Sequence, residues 1–464
     1  MIDESVLERV LAAATKGGAD FAEVFAEDKR SSSAVLDDGK VEELTSGRDR
    51  GAGIRVVVGE STGFAHTADL SEASLVATAE IAAAAARGSG SGSRTIDLSR
   101  TSASRPNVVL MLPGDVPKAR KVELLTRAND VARAQGAAIT QVMARYSDSR
   151  RRILVANTDG TLADDDQVKT VFSISCVATG DTGMQTGRES VGHTVGFELF
   201  DSVDVEEMAR KAADRAITKL AARPAPSGQM TVVIGSGGGG VMFHEACGHG
   251  LEADLVGKGA SVFANRIGEQ VASPLVTLVD DGTMGGEWGC FAIDDEGRPA
   301  QRNVLIENGV LVDYMWDGLR ARKEGRQSSG NGRRQSYQHL PMVRMTNTYL
   351  LGGEGDKESI VGDTESGVYI AHLGGGQGEH GHRRLRVRHD GGLPHRERRD
   401  HRPLLQAQLH RQRAEVLRNI GMMRVGLRDG PPGTCGKDGQ GVPVGDGVRR
   451  RSGVHGLTIG GTAA

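Results

Sequence analysis

Two histidines that flank a glutamate form the strongest chemical signal in this sequence. His244, Glu245 and His249 make the pattern HExxxH, which follows a strand-like run at residues 231–234 and a glycine-rich turn. Neutral imidazoles are good zinc ligands, and zinc lowers the pKa of a bound water to roughly 7, so that a neighbouring carboxylate can accept its proton. The motif therefore predicts a hydrolytic zinc site in which His244 and His249 bind the metal and Glu245 is the general base.

The spacing of the two histidines is one residue longer than in the familiar HExxH motif. In a regular α-helix, residues five apart are separated by about 140° around the axis, so both rings reach one metal only if the helix is distorted or ends there. Gly248 and Gly250 flank the second histidine, and glycine permits such a bend. A single π-type turn would also align the rings. We therefore expect an irregular helix at residues 244–249.

Two other interpretations of this stretch stay open from the residues alone. An HExxxH pattern can arise by chance, with both histidines in structural hydrogen bonds. The glycines at 235, 237 and 240 also match the dinucleotide fingerprint GxGxxG, with Glu252 or Asp254 as the acid that would bind a ribose. That match is weakly specific, because it lies in a six-residue run with five glycines and no clear βαβ repeat follows it.

The surrounding elements predict an α+β protein in which N-terminal and middle α/β units precede a β-rich C-terminal domain. Helical patterns lie at residues 4–16, 71–86, 116–135 and 203–220, and strand-like patterns at 54–58, 138–146, 152–156 and 168–178. Turns are expected at 37–39 and 158–160, and short strands dominate after residue 231. A Gly/Ser linker and a Pro-containing break predict three domains, at residues 1–94, 95–226 and 227–464.

Composition and charge exclude several classes of protein. The chain of 464 residues has a net charge of −3, which provides no electrostatic footprint for nucleic acid. We find no run of about 18 apolar residues that could span a bilayer. The acidic, amphipathic start lacks the order of a signal peptide, and four widely spaced cysteines argue against a disulfide framework. We expect a cytoplasmic protein without nucleic-acid or membrane partners.

Five longer motifs extend the signal beyond the metal-binding pattern. They are FHEACGHGLEAD (243–254), VRMTNTYL (343–350), IAHLGGGQ (370–377), GPPGTCGKDGQGVPVG (430–445) and GLTIGGTA (456–463). Together they resemble the TldD/PmbA family of zinc metallopeptidases, and in particular its metal-bearing TldD-like branch. The resemblance implies that His244, His249 and Cys435 bind zinc and that Glu245 is the general base. Cys247 also lies inside the motif, but on a helix its side chain would point elsewhere, so we do not expect it to be a ligand.

The same resemblance implies a substrate class and a partner. TldD-like chains work as heterodimers with a related subunit that lacks the metal motif, and their site faces an internal cavity that admits unfolded peptides as an added strand. Strand addition has little sequence preference, because backbone hydrogen bonds provide the affinity. The implied activity is zinc-dependent hydrolysis of peptide bonds in small or unfolded peptides.

The C-terminal third departs from the family pattern. Residues 378–413 contain ten arginines and six of the 13 histidines, with almost no alternation, and the pattern falters again at 422–428 and 446–455. A solvated basic loop is one interpretation, and a histidine-rich tract that scavenges metal is a second. A third is that the underlying gene sequence contains compensating reading-frame errors, which resequencing the coding DNA would test. If the segments are genuine, we expect the C-terminal sheet to lose strands that hold Cys435. The chain would then be a non-catalytic peptide-binding or scaffold subunit.

Overall fold

The computed structural model describes residues 1–86, 96–237, 242–351, 364, 366–378, 384–389, 392–394, 407–424, 432–445 and 451–460. Helices and strands are mixed along these ranges, which confirms the α+β class. Within them, no helix is both long enough and apolar enough to cross a membrane.

A seven-stranded, mainly antiparallel sheet dominates the first half of the chain. Its strands are β1 (Phe21–Asp37), β2 (Lys40–Val58), β3 (Ser61–Thr67), β4 (Ser99–Arg100), β5 (Ile139–Asn157), β6 (Thr161–Gly180) and β7 (Gly183–His193). The order is β3-β2-β1-β5-β6-β4, and β7 pairs with β6. Strands on both sides of the predicted boundary at residue 94 thus share one sheet, while the two domain boundaries stay predictions.

Five helices cover this sheet, and the four long ones lie where the sequence predicted them. They are α1 (Glu4–Thr15), α2 (Glu72–Ala85), α3 (Lys118–Arg133), α4 (Leu199–Ser202) and α5 (Val205–Leu220). Each long helix buries a stripe of apolar residues in one of two clusters, with Leu11 and Leu75 in one and Leu125 and Ala212 in the other. Apolar residues at helical spacing account for this packing.

The strands of this sheet are longer than the sequence predicted. Residues 138–146 and 152–156, expected as two strands, belong to the single strand β5, and 54–58 is the end of the 19-residue β2. The polar stretch between the two predicted pieces stays in the ladder, because β1 and β6 pair with it on both sides. Its charges have partners there: Arg150 pairs with Asp166 at 2.6 Å, and Asp148 with Lys121 at 2.8 Å. The predicted turns at 37–39 and 158–160 are confirmed.

The second half is rich in strands, as expected. Its strands are β8 (Gly228–Gly237), β9 (Thr277–Asp281), β10 (Arg302–Glu307), β11 (Val310–Leu311), β12 (Gly332–Arg333), β13 (Met342–Val343), β14 (Thr348–Leu351), β15 (Val368–Gly378), β16 (Arg384–His389), β17 (Gly392–Pro394), β18 (Ala407–Gln412), β19 (Ile420–Arg424), β20 (Pro432–Lys437), β21 (Gln440–Gly445) and β22 (Arg451–Gly460). Short helices α6 (Ala253–Gly257), α7 (Gly318–Lys323) and α8 (Arg413–Arg418) join them. One sheet has the order β16-β18-β22-β8-β15-β17 with β19 on β22, a second is β11-β10-β9-β14, and β20–β21 form a hairpin.

The basic segment at residues 378–413 contains strands, and the expectation that the sheet would lose them is wrong for its described part. β16, β17 and β18 belong to the larger C-terminal sheet. β16 has a local alternation that the overall composition hides, since Leu385 and Val387 separate three arginines. A period of two suits a strand. Residues 379–383, 390–391, 395–406, 425–431 and 446–450 lie outside the described part of the chain, so the reading-frame hypothesis stays untested.

Candidate metal centre

The helix with the two histidines contains the distortion that their spacing predicts. His244–Gly248 is a π-helical turn, and a 3₁₀ turn, His249–Leu251, follows it directly. The backbone N–H of His249 donates to the carbonyl of His244, so the turn closes over five residues. A π turn brings such positions to the same side of a helix. The two imidazoles lie edge to face, with ring centroids 4.9 Å apart.

The glycines beside His249 serve close packing rather than an unusual backbone conformation. Gly248 has helical dihedral angles, φ −51° and ψ −56°, so the expected freedom to bend is not used there. A Cβ at Gly248 would lie 3.0 Å from Cε of Met345 and closer still to its sulfur. A Cβ at Gly250 would lie 2.8 Å from the ring of Phe263. Both neighbours are fully buried, so any larger residue at 248 or 250 has to displace core side chains.

Cys435, on β20, lies against both histidines. Its Sγ is 3.1 Å from Nε2 of His244 and 3.3 Å from Nε2 of His249. These are the only three side chains, within the described ranges, that form a group of His, Cys, Asp or Glu suited to a metal, with ligand atoms within 4.8 Å of one another. All three are buried. The sequence alone would make Cys435 a surface thiol, because its partners are about 190 residues away in the chain.

The donor set fits zinc. Zn–N bonds of about 2.0–2.1 Å and a Zn–S bond of about 2.3 Å imply N···S separations of roughly 3.5 Å in a tetrahedral site. The observed distances are a few tenths of an ångström shorter, a difference that small side-chain rotations remove. Two imidazoles and a thiolate leave a fourth position open, as catalytic zinc sites require.

The electrostatics of the cluster favour a thiolate. Burial alone favours the neutral thiol of Cys435, but the charge and hydrogen bonds of His244 and His249 outweigh it and lower its pKa to about 5. Burial likewise disfavours a charged His249, but Glu252 and Cys435 raise its pKa to about 9. The metal-free site therefore combines a thiolate with an imidazolium at neutral pH. Metal binding has to release the proton of that imidazolium, because the ligand is a neutral imidazole.

A buried carboxylate and a buried lysine adjoin the site, and the sequence did not predict their role. Glu252 accepts a hydrogen bond from Nδ1 of His249 at 3.0 Å and pairs with Lys437 at 2.9 Å. Burial favours the protonated acid, but Lys437 and His249 hold the pKa of Glu252 at about 2. Asp254 also pairs with Lys437, at 2.7 Å. Both acids offered for a ribose are thus engaged elsewhere, and residues 238–240 of the glycine run lie outside the described residues.

The remaining residues of the motif take different positions. Glu245 is half-buried, whereas the residues on either side of it are buried. Cys247 donates from Sγ to the carbonyl of Phe243 at 3.0 Å, back along its own helix, and is not among the three clustered ligand atoms. The structure therefore separates Cys247 from the cluster, as the helical direction of its side chain implied.

The hairpin that presents Cys435 is held through its backbone. Arg344 donates to the carbonyl oxygens of Cys435 and, at 3.2 Å, of Gln440. Arg333 donates to the carbonyl of Pro443 at 2.6 Å, and Trp288 Nε1 to that of Gly433 at 2.8 Å. Hydrogen bonds from a charged donor are stronger than neutral ones, so the two arginines fix the hairpin against the site. Only the familial motif at 343–350 marked Arg344 in the sequence.

Comparison with protein-family models covers most of the chain. The PmbA/TldA metallopeptidase domain 1 matches residues 22–86, the central domain of that family matches 112–220, and its C-terminal domain matches 227–444. All three models describe successive parts of one family, in the order in which they occur here.

Individual proteins agree with these models. A metalloprotease TldD homolog of Haemophilus influenzae is 38% identical over 454 residues, which are 96% of this chain and 93% of the relative. A protein of Saccharolobus solfataricus named zinc metalloprotease TldD homolog is 27% identical, over 50% of each chain. Among solved structures, TldE from Thermococcus kodakarensis has a TM-score of 0.76 at 16% identity, covering 98% of this chain and 99% of that one. At that identity the likeness concerns the fold alone.

Proposed function

The chain belongs to the PmbA/TldD metallopeptidase family, and from that membership we propose that it is a zinc-dependent peptidase whose substrates are small or unfolded peptides. The observation that carries the proposal is the cluster of two imidazoles and one thiol within 4.8 Å. Its donor types suit zinc better than magnesium or calcium, which prefer oxygen. The name zinc metalloprotease of the Saccharolobus relative supports the same metal.

In this proposal His244, His249 and Cys435 hold the metal. A zinc ion bound there would supply Lewis-acid polarisation of a peptide carbonyl and a more acidic water at neutral pH. Burial of the three ligands keeps bulk water away from their donor atoms. The low pKa of Cys435 makes its thiolate available as a ligand without an external base.

Glu245 is the proposed general base. It follows His244 directly in the chain and is half-buried, whereas its two neighbours in the sequence are buried. In that position it would take a proton from the attacking water and pass it to the nitrogen of the departing amine. General-base catalysis of this kind contributes typically 10²–10⁴-fold to a rate.

Partner and location complete the proposal. We expect a heterodimer with a related subunit that lacks the metal motif, and the likeness of fold to TldE is consistent with such a pairing. A cytoplasmic location is part of the same expectation.

The test is peptide cleavage by the protein co-purified with its related metal-free subunit, with an unstructured casein as substrate. Cleavage by the parent is expected, and Glu245→Gln should retain the metal while its rate falls at least 100-fold. Glu269→Gln, which changes an exposed glutamate of the same half of the chain, is the matched control and should cleave like the parent. Casein binding without turnover in the metal-loaded parent would instead favour the non-catalytic subunit. Unchanged cleavage in Glu245→Gln would contradict the role of that residue.

A further inference from the structure

Lys437 is a fully buried lysine that lies two residues after Cys435 on β20. Its ammonium is 2.9 Å from Oε2 of Glu252, 2.8 Å and 2.7 Å from the two carboxylate oxygens of Asp254, and 3.0 Å from the carbonyl oxygen of Val343. An ammonium has three N–H donors, so these contacts account for all of them. A lysine that keeps its charge in the core needs partners of this kind.

Glu252 connects Lys437 to the histidine helix. Its Oε2 accepts from Nδ1 of His249 at 3.0 Å, and Nε2 of the same ring lies 3.3 Å from Sγ of Cys435. Cys435 and Lys437 point to the same side of β20, because residues two apart share a strand face, and both are buried while Gly436 between them is exposed. Contacts run from Cys435 to His249, from His249 to Glu252 and from Glu252 to Lys437, and the backbone of β20 closes the ring between Lys437 and Cys435. This ring joins the histidine helix to the strand.

This ring has a consequence for ligand geometry. A histidine that binds a metal through one ring nitrogen generally donates its other N–H to a carboxylate, which fixes the tautomer and the ring plane. When the imidazolium of His249 gives up a proton to bind a metal, Glu252 stands where it keeps the remaining proton on Nδ1, which leaves the lone pair on Nε2, the nitrogen that faces Cys435. Lys437 in turn holds the carboxylate and fixes the register of the strand that presents the thiolate.

We infer that Glu252 and Lys437 are positioning residues, which set the geometry between the His249 imidazole and the Cys435 thiolate at the candidate metal centre. The inference rests on the proposed function, since it takes these two residues as metal ligands. A purely structural ion pair would make a different prediction: its removal would lower stability and leave metal affinity unchanged.

A second buried lysine provides the matched control. Lys121 is 4% exposed and pairs with Asp148 at 2.8 Å. It also donates to Ser32 at 2.9 Å. Its partners belong to the first sheet, away from the HExxxH helix and the Cys435 hairpin. Lys121→Met thus removes a buried lysine of comparable surroundings without touching the ring.

The experiment is cobalt binding to the full-length protein after its metal has been removed with a chelator. Co²⁺ is titrated into the parent, Lys437→Met, Glu252→Leu, Glu252→Gln and Lys121→Met, and visible and near-ultraviolet absorption report the ligand field and the thiolate-to-cobalt charge transfer. Removing a residue that orients a metal ligand through a hydrogen bond typically lowers metal affinity 10–100-fold. The cobalt dissociation constant should therefore rise by about that factor in Lys437→Met and Glu252→Leu. Glu252→Gln should lose less, because its amide oxygen can still accept from His249 and Lys437. Lys121→Met should keep the affinity and spectrum of the parent.

The outcomes separate this inference from the proposed function. A parent that binds one cobalt with a thiolate band, beside ring variants with the same affinity and spectrum, would overturn the positioning role alone. A parent without a thiolate–cobalt band would overturn the proposed metal site, and this inference with it. If Glu252→Leu does not fold, Glu252→Gln and Lys437→Met still test the inference. Cobalt affinities and spectra equal to those of the parent in both variants would contradict the positioning role of Glu252 and Lys437.

Discussion

Replacing Gly250 with alanine tests whether close packing beside His249 is what requires glycine there. An added Cβ would lie 2.8 Å and 3.0 Å from two ring carbons of Phe263 and 3.4 Å from Oγ of Ser261. Ordinary van der Waals contact begins near 3.4 Å, so the ring has to move by about 0.6 Å or more. Phe263 is fully buried, and overpacking of this kind costs about 1–3 kcal/mol.

Urea unfolding followed by tryptophan fluorescence measures that cost where it arises, because both tryptophans, Trp288 and Trp316, lie in the C-terminal half. We expect Gly250→Ala to lower the free energy of unfolding by about 1–3 kcal/mol. Gly436→Ala is the matched control, since a Cβ there would meet nothing within 4 Å. In a Phe263→Leu background the cost of Gly250→Ala should at least halve. Equal costs in both backgrounds, or none in either, would refute the packing argument.

Three other perturbations test different parts of the account. In metal-free protein the Cys435 thiolate should form as pH rises through about 5, because the histidines outweigh burial in setting its pKa. The thiolate is followed by its absorbance at 240 nm, and a rise only near pH 9, or the same rise near pH 5 in Cys435→Ser, would contradict the prediction. Arg334→Met should lower the free energy of unfolding by about 1.5–3 kcal/mol, because the fully buried Glu23 carboxylate loses one of its two guanidinium partners and keeps only Arg55, at 3.1 Å. A loss below about 1 kcal/mol in urea unfolding would show that the Arg334–Glu23 pair contributes little. Asp204→Ala should lower the free energy of unfolding by about 1 kcal/mol, because the Asp204 side chain accepts hydrogen bonds from two backbone N–H groups at the start of α5. The zinc content of this variant should stay at the parent level, since α5 is not part of the site.

The sequence predicted the local part of the site well. The five-residue spacing of His244 and His249 required an irregular helix, and the structure has a π turn at that place. This inference succeeded because it depends only on helix geometry. The packing role of Gly248 and Gly250 could not be predicted from helix geometry. It depends on Met345 and Phe263, which come from other parts of the chain and pack against the helix.

Residues that join the site through the fold were harder to predict. Cys435 had no local signal and was identified only through resemblance to a family, although it lies 3.1 Å from His244 in space. No pattern in the sequence marks Lys437, yet it is fully buried. Its burial is stable only because Glu252 and Asp254 come from a different element, and no pattern of one segment reveals such a partner.

The strands show the same division between local and tertiary causes. Residues 147–151 of β5 are polar and lie between the two strands that the sequence predicted, but pairing on both sides keeps them in the sheet. In β16 the alternation of Leu385 and Val387 with arginines was present in the sequence and was hidden by the basic composition of the whole segment. Local pattern therefore predicted where strands occur better than it predicted their length.

Zinc content tests the central claim most directly. Elemental analysis of the purified parent beside Cys435→Ser asks whether His244, His249 and Cys435 form one metal site. The account predicts close to one zinc per chain in the parent and a clear loss in the variant, because the thiolate is one of three protein ligands. A parent without zinc, or a Cys435→Ser protein that retains it with the affinity of the parent, would contradict the account.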